Sequence, residues 1–537
     1  MFVILIVLGS IIPASICNSG RMTYSETAEP QTLNPLNMID AISFRFFSLL
    51  YNNLIGIDIN MIPEPELLSS LEPVKVSDDG LIYTFSIRSN VKWHDDTPLT
   101  AKDVEFTFKM LKNDRTETVK GWVGEVFSEV RAIDDNTVEF KLRRKMSKEM
   151  VLSKLFWSII PEHLFPIEQE YISEDDKFGK SQVVGSGPYK FDKWSSGKGL
   201  LLKQNKAYFK KWRMLKKDEC RIEEIVMKYI RDPRVAVDSL LMGGGVDIIP
   251  VIRPVDYNEI RVDPYCDLIK YNSRSFVYFA YNCKHSFFKY TQVRQALTYA
   301  INRLEMLSKI YGKEYADKSQ IMSGPYPPGE ANPEIKPIPY DLEKAKELLA
   351  SAGFKDMDGD GILEKDGKPF IVSLKTYVKD ESFRRICTLY QTQLLKLGIK
   401  LKENQIEFME MNKWIKEVCK DKDFDIAFGS WTFHEDTDIV DDLFSASGMR
   451  PGGNNFVSYT DTKVESLLKI NRMVFNPEVI RKNKYELHKI IANDCPYTFL
   501  FTVPAYAGVR NTLRGVDIHP YYFFAFITEW SLSETEL

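Results

Sequence analysis

Several kinds of sequence feature are missing from this chain, and each absence excludes a class of protein. After the first 17 residues no apolar run reaches the length of about 18 residues that a membrane-spanning helix needs. No Cys-x-x-Cys pair occurs, so zinc ribbons and thioredoxin-like redox chemistry are unsupported. The formal net charge is only −4, without a long run of one sign, which argues against a nucleic-acid-binding protein.

The motifs of common catalytic sites are missing as well. We find no Gly-x-Ser-x-Gly nucleophile elbow, no His-Glu-x-x-His zinc motif and no phosphate-binding Gly-x-x-x-x-Gly-Lys loop. The run 243–245 is three glycines without the Gly-x-Gly-x-x-Gly spacing, and it precedes Val-Asp-Ile-Ile, so it predicts a turn. The sequence therefore predicts a protein that is not an enzyme and that needs no cofactor.

What is present indicates a mixed α/β protein. Apolar residues make up 44% of the chain and aromatic residues 12%, values that suit a globular core and an aromatic-lined ligand cavity. Alternating patterns predict strands at 81–90 and 136–143. Thr100 is a predicted N-cap for a helix that begins at Ala101. Helical periodicity recurs at 293–310, 341–353 and 381–399.

The N-terminus resembles a secretory signal. Residues 1–17 are almost wholly apolar, break at Pro13 and continue into small residues, although no Lys or Arg occurs before Arg21. We expect residues 1–20 to be a leader that is cleaved near Cys17 to Gly20. Attachment of a lipid to Cys17 is the alternative, which Ile16 disfavours because a small residue normally precedes the modified cysteine.

Two other features leave alternatives open. The six cysteines after Cys17 are either partly paired in disulfides or small buried apolar residues. Asp356, Asp358 and Asp360 occupy the first, third and fifth positions of a calcium loop, but its twelfth position is Gly367 instead of Glu. We therefore predict a polar turn there and no metal, with calcium as the weaker alternative.

A family resemblance rests on several motifs that follow one another along the chain. Trp93, Thr100, Ala101 and Asp103 are its most specific residues. The motifs are PQTLNPL (30–36), LEPVKVSDDGLIYTFSIRSNVKWHDDTPLTAKDVEFTF (71–108), GSGPYKFDKW (185–194), GGGVDII (243–249), VRQALTYAINR (293–303), YDLEKAKELLASAGF (340–354) and the segment 424–468. Together they resemble the family 5 extracellular solute-binding proteins, the binding subunits of bacterial ABC importers for oligopeptides, dipeptides or nickel.

The resemblance implies an α/β fold with two lobes, the type II, cluster C periplasmic-binding-protein fold, with an inserted domain and a hinge. Lobe I would consist of residues 21–50, 183–273 and 506–537. The inserted middle domain would cover 51–182, and lobe II would cover 274–505. The chain would cross between the lobes near Asn272 and Val503, and closure about this hinge would trap the ligand.

The resemblance also implies where a ligand would bind. In peptide-binding relatives, the segment equivalent to 424–456 pairs with the ligand main chain and supplies an Asp that meets its N-terminal ammonium. At that Asp position this sequence has His434 or Glu435, so we expect Asp436 or Asp438 to be the anchor, with Glu435 next. A metal site at His434 is less favoured than an acidic turn. The implied ligand-binding residues are Trp431, His434, Glu435, Asp436, Asp438, Asn454 and Asn455. Trp431 could equally be a core residue, and Asn454 and Asn455 could instead cap a turn.

The implied function is the capture of short peptides in the cleft and their delivery to a membrane permease. The partners would be the peptide and the permease and ATPase subunits of an ABC importer in the inner membrane, with no nucleic acid. The protein would be a periplasmic or extracytoplasmic monomer. A same-fold protein that binds a metal chelate or an oligosaccharide is the alternative, and a periplasmic peptidase is a weaker one.

Overall fold

The structure is a computed structural model that describes residues 20–37, 41–58, 62–113, 123–172, 177–243, 245–327, 332–377, 381–432, 439–450, 453–471, 477–519 and 522–533. The helices are α1 Ala41–Arg45, α2 Phe47–Leu50, α3 Ala101–Lys112, α4 Val123–Val126, α5 Lys148–Leu152, α6 Pro233–Leu241, α7 Tyr257–Val262, α8 Thr291–Tyr299, α9 Arg303–Tyr311, α10 Leu342–Ser351, α11 Glu381–Lys396, α12 Met411–Trp414, α13 Ile439–Phe444, α14 Thr462–Asn471 and α15 Pro477–Asp494.

The strands are β1 Arg21–Glu26, β2 Ile55–Ile57, β3 Pro63–Pro65, β4 Lys75–Val76, β5 Ile82–Ser86, β6 Phe127–Asp134, β7 Thr137–Leu142, β8 Tyr189–Ser195, β9 Gly199–Gln204, β10 Glu219–Cys220, β11 Glu224–Tyr229, β12 Ile248–Ile249, β13 Cys266–Tyr281, β14 Glu364–Lys365, β15 Lys368–Pro369, β16 Ile371–Val372, β17 Leu374–Tyr377, β18 Lys400–Leu401, β19 Glu407–Met409, β20 Ile426–Thr432, β21 Tyr497–Arg510, β22 Leu513–Arg514 and β23 Ser531–Ser533. The mixture confirms the α/β prediction.

One ten-stranded sheet runs through the molecule in the order β19-β17-β20-β13-β21-β12-β1-β11-β9-β8. Its centre is the antiparallel pair β13 and β21, of 16 and 14 residues. On one side β20 pairs with the second half of β13, at residues 275–281. On the other side β12 pairs with the end of β21, at Val509 and Gly508. Each half of the sheet therefore attaches to a different end of the same two long strands.

The buried apolar side chains form two cores, one centred on each half of the sheet, and the second core also takes in α6 and α7, which contact β12, β13 and β21. One core takes its residues from 22–227 and from Ile248 and 507–532, and the other from 236–506. The first core also receives the four-stranded sheet β4-β5-β7-β6 and α3, which packs against it. The two cores agree with the prediction of two lobes, because each lobe buries its own apolar surface.

The ladder between the two long strands is interrupted where the lobes meet. Asn272 pairs with Pro504 and Phe276 pairs with Thr502, so three residues of β13 lie opposite Val503 alone. Such an insertion interrupts the regular hydrogen bonding and bends the strand. The interruption lies at the position where the sequence predicts the crossing between lobes.

The family motifs in the first lobe have structural roles. Thr100 caps α3 in a capping box, with its main-chain N–H donating to Asp103 at 2.8 Å, as the sequence predicts. The Gly-Ser-Gly-Pro-Tyr motif packs against α2 so closely that a Cβ at Gly185 would lie 1.8 Å from the carbonyl oxygen of Leu50. His94 fixes the same turn: its Nδ1 accepts from the N–H of Gly185 at 3.1 Å, and its Nε2 lies 3.0 Å from the carbonyl oxygen of Gly187.

One helix differs from its prediction. The periodic segment 293–310 forms two helices, α8 and α9, because the chain leaves helical geometry around Asn302. The Asn302 side chain then accepts from the N–H of Glu305 and starts α9 as its N-cap. The apolar periodicity of the sequence continues across this break because both helices face the same core, so the pattern predicts one helix.

Candidate ligand-binding site

The parallel strands of both halves end beside the interrupted ladder. In one half β17, β19 and β20 are parallel, and the carboxyl end of β20 at Thr432 pairs with Ser275. In the other half β1, β11 and β12 are parallel, and after β12 the N–H of Ile252 donates to the carbonyl oxygen of Tyr506. In open α/β sheets, ligands bind outside the carboxyl ends of the strands. This region is therefore the candidate ligand-binding site.

Among the described residues, the end of β20 has no strand partner on the side away from β13. Its pairing with β17 stops at Thr376 opposite Phe428. Within the described ranges, no strand pairs with Gly429–Thr432 on the side away from β13. An unpaired edge can accept the main chain of an extended peptide as an additional strand.

An aromatic cluster, defined as Tyr278, Trp431, Phe456 and Tyr497, lies against this edge. The Trp431 ring is nearly parallel to that of Tyr278, at 16° and 6.2 Å between centroids. Tyr278 stacks in turn on Tyr497 at 4.5 Å, and Phe456 lies 6.5 Å from Trp431. Trp431 is half-buried, whereas the other three rings are buried. Trp431 is thus the member of the cluster that a ligand can reach.

On the opposite half, a buried ion pair lies at the end of β1. Arg45 Nη1 donates to Glu26 Oε1 at 2.6 Å, and both side chains are almost completely buried. Burial lowers the pKa of Arg45, but the Glu26 carboxylate, Tyr271 and Tyr24 together raise it by more, so the pKa is raised. The Tyr271 hydroxyl, on the first half of β13, donates to the carbonyl oxygen of Pro250 at 2.9 Å. The pair is thus held beside the crossing strands.

The structure locates only part of the predicted binding set. His434, Glu435, Asp436 and Asp438 lie outside the described residues, so their roles stay predictions. Asn455 is fully buried: its Nδ2 donates to the carbonyl oxygens of Ser445 and Tyr459, and its Oδ1 accepts from the N–H of Tyr459. In this arrangement the amide of Asn455 holds a turn and has no group left for a ligand.

Asn454 is also engaged within the protein. Its Nδ2 donates to Asp442 Oδ2, on α13, while the residue stays half-buried. Its remaining amide oxygen keeps Asn454 available as a predicted contact.

The calcium-like loop gathers more carboxylates than the sequence indicates. Asp356, Asp358 and Asp360 lie together with Glu364, with one ligand atom from each within 4.8 Å of the others. Glu364 occupies the ninth position of the loop, and its Oε2 already accepts from the N–H of Met357 at 2.7 Å. The three aspartates are exposed, and their proximity alone does not assign an ion to the loop.

Five of the six cysteines after Cys17 are free thiols in the structure, namely Cys266, Cys283, Cys387, Cys419 and Cys495. Burial raises the pKa of the Cys266 and Cys419 thiols to about 12 and that of Cys283 and Cys495 to about 11. At neutral pH these four thiols stay protonated and do not act as nucleophiles.

The sequence interpretation missed the Glu26–Arg45 pair. The two residues are 19 positions apart, and Glu26 ends a strand in a stretch without a distinctive motif. In the sequence, a functional role for Glu26 was indicated only by its position at the end of a strand, just before the first family motif. This position does not identify Arg45 as its partner.

The protein has two lobes joined by two crossing strands, and the candidate site lies at the carboxyl ends of both groups of parallel strands. This arrangement defines the class of two-lobed solute-binding proteins. The family described as bacterial extracellular solute-binding proteins, family 5 middle, matches residues 63–449. The chain belongs to this family, which is a family of binding proteins and not of enzymes. No helix among the described residues has both the length and the apolar character needed to cross a membrane.

Relatives match over nearly the whole chain. The oligopeptide-binding protein AppA of Bacillus subtilis is 29% identical over 519 residues, which cover 96% of this chain and 92% of that protein. Its structure with a nonapeptide has a TM-score of 0.77 at 28% identity and covers 96% of this chain and 99% of that one.

Two further relatives have names that refer to other ligands. NikZ of Campylobacter jejuni with Ni(L-His) has a TM-score of 0.77 at 25% identity and covers 95% of this chain and 99% of that one. Heme-binding protein A of Haemophilus influenzae is 24% identical over 545 residues, which cover 96% of this chain and 92% of that protein. The comparisons confirm the predicted family and its two-lobed fold.

Proposed function

We propose that the protein is the peptide-binding subunit of an ABC importer. The observation that carries the proposal is the edge of Gly429–Thr432, which no described strand pairs on the side away from β13, beside the aromatic cluster. Main-chain hydrogen bonds at such an edge bind peptides of many sequences, and neighbouring pockets select side chains. Similarity along the whole chain to a protein that binds oligopeptides supports the same ligand class.

The hinge belongs to this proposal. The chain would cross between lobes at the interrupted ladder, near Asn272 and Val503, with the domain boundaries that the sequence predicts. A peptide that contacts both lobes stabilises the closed state by its higher affinity for that state. The sequence between the strand edge and α13 contains Glu435, Asp436 and Asp438, and one of these carboxylates would pair with the peptide's ammonium group.

The remaining features of the proposal concern location and partners. The protein would act outside the cytoplasm as a monomer, after removal of residues 1–20 or with a lipid on Cys17. It would deliver its peptide to the permease and ATPase subunits of its importer. It would catalyse no reaction, which agrees with the protonated thiols and the lack of catalytic motifs.

Identification of the ligand that co-purifies with the protein tests this proposal. Native mass spectrometry of gently purified protein should show added masses that fragment as short peptides. A nickel or heme complex, or an oligosaccharide, would instead assign the protein to the same fold with a different ligand. Loss of peptide mass with appearance of shorter fragments on storage would indicate a peptidase.

A further inference from the structure

A pocket of about 180 Å³ lies at the carboxyl ends of the parallel strands of the first lobe. It is lined by residues at and just after the ends of β1, β11 and β12, by the first two turns of α6, and by Ile42 and Arg45 of α1. We call it the aliphatic pocket, because its apolar lining contains Ile42, Ile230, Val237, Ile249, Val251 and Ile252. None of the described residues that line it is aromatic.

The charged groups of the aliphatic pocket neutralise one another. Among the described residues that line it, four are charged and form two ion pairs, Arg45 with Glu26 at 2.6 Å and Arg253 Nε with Asp256 Oδ2 at 2.8 Å. Asp256 has a second cation, Arg234, 3.5 Å away. A charged ligand group that entered the pocket would lose its hydration without gaining an unpaired counter-charge, which is unfavourable.

The size of the pocket limits what it can hold. An apolar cavity of about 150 Å³ is large enough for benzene, so about 180 Å³ fits one branched aliphatic side chain. Pockets for whole drug-sized ligands are larger, from about 300 Å³ upwards. The pocket therefore fits one side chain of a longer ligand, and its position at the strand ends puts that ligand in the candidate site.

We propose that the aliphatic pocket is a specificity subsite that selects a leucine, isoleucine or valine side chain at one position of the bound peptide. This inference rests on the proposed peptide-binding function and adds a selectivity that the function alone does not require. Burying one such side chain contributes about 1.5–3 kcal/mol, which corresponds to a preference of about ten- to a hundredfold over a charged side chain at that position.

Selection from a pentapeptide library tests the subsite. The purified full-length protein is mixed with pentapeptides randomised at every position, separated from free peptide, and the bound peptides are sequenced by mass spectrometry. Wild-type protein should enrich Leu, Ile and Val over Asp and Lys by at least about tenfold at one position.

Two valine variants on the same segment provide the matched comparison. Val251 lines the pocket but is 57% exposed, so Val251→Trp can narrow the pocket without disturbing a core. Val255 is 75% exposed and lies outside the lining. Val251→Trp should abolish the enrichment at that position and still bind peptides, whereas Val255→Trp should keep it.

The outcomes separate the subsite from the function on which it rests. If wild type binds peptides without aliphatic enrichment at any position, or Val251→Trp keeps the wild-type enrichment, the subsite is wrong and peptide binding stands. If no variant and no wild-type sample retains any peptide, both the proposed function and the subsite are overturned.

Discussion

Trp431 and Tyr278 lie on neighbouring strands with their rings nearly parallel, at 6.2 Å between centroids. Tyr278 is buried, so its ring fixes the orientation of the half-buried Trp431 at the end of β20. An aromatic side chain held in one orientation loses little conformational freedom when a ligand packs on it. This relationship makes Trp431 the best-defined predicted ligand contact among the described residues.

We therefore expect Trp431→Ala to weaken peptide binding by about 2 kcal/mol, or roughly 30-fold, as tryptophans at well-packed contacts often do. Calorimetric titration with a peptide found in the native protein measures the change. Trp194→Ala is the control, because Trp194 is also half-buried but lies on β8 at the far edge of the sheet. Equal affinities of wild type and Trp431→Ala would place Trp431 outside the binding site.

The acidic segment gives a second prediction. One of Glu435→Gln, Asp436→Asn and Asp438→Asn should lower affinity about 30- to several-thousand-fold, because loss of a desolvated charge partner costs about 2–5 kcal/mol. The other two replacements should change affinity by less than about threefold, as expected for solvated charges.

An N-acetylated peptide is the control for this prediction. Wild type should prefer the free amine, and the anchor variant should bind both peptides about equally weakly. Equal binding of both peptides by wild type would mean that no carboxylate here pairs with an amine, and it would favour a non-peptide ligand.

His94 predicts how stability depends on pH. Burial lowers its pKa to about 4 in the folded protein, whereas an unfolded histidine titrates at about 6.5. Between about pH 6.5 and pH 4 the unfolded chain therefore binds a proton at His94 that the folded protein does not bind. The free energy of unfolding should be fully retained above pH 6.5 and fall between pH 6.5 and 4, by up to roughly 3 kcal/mol for this group.

Urea denaturation from pH 8 to 4 measures this dependence. His488 also has a pKa lowered by burial to about 4, so it contributes a similar decrease. His94→Gln should be less stable at pH 8 but should lose less stability than wild type between pH 6.5 and 4. An unchanged pH dependence in His94→Gln would contradict the assignment.

Removal of metal gives a fourth prediction. EGTA should leave the melting temperature unchanged, because the N–H groups of Gly359 and Gly361 already donate to Asp356 and support the loop. The twelfth-position Glu of a calcium loop is missing as well. A fall of more than about 3 °C that calcium reverses would show that Asp356, Asp358, Asp360 and Glu364 hold an ion.

Local chemistry in the sequence predicted much of the fold. The Thr100 cap and the strands β5 and β7 depend on residues close together in the chain, and the structure confirms them. The break between α8 and α9 was missed because Asn302 interrupts an apolar pattern that serves the same core on both sides. A single polar N-cap residue within a continuous apolar stripe is only a weak sequence signal for a break between two helices.

The site was less predictable, because long-range contacts define it. Glu26 and Arg45 meet only after β1 enters the sheet, and the pairing of Tyr278 with Gly429 brings Trp431 to its neighbour. Asn455 shows the converse: an amide in a predicted binding segment satisfies the main chain of its own turn, one of the two roles that the sequence allows. Residue type and order identified the segment, but only the packing shows which side chains remain available.

Thermal melting with defined ligands tests most directly the central claim that the protein binds short peptides in its folded, closed form. A pool of di- to decapeptides at millimolar concentration should raise the melting temperature, because a ligand that binds only the folded state stabilises it by RT ln(1 + [L]/Kd). Sugars, nickel–histidine and heme should have no effect under the same conditions. No shift with any peptide, together with a shift from one of those other ligands, would contradict the account.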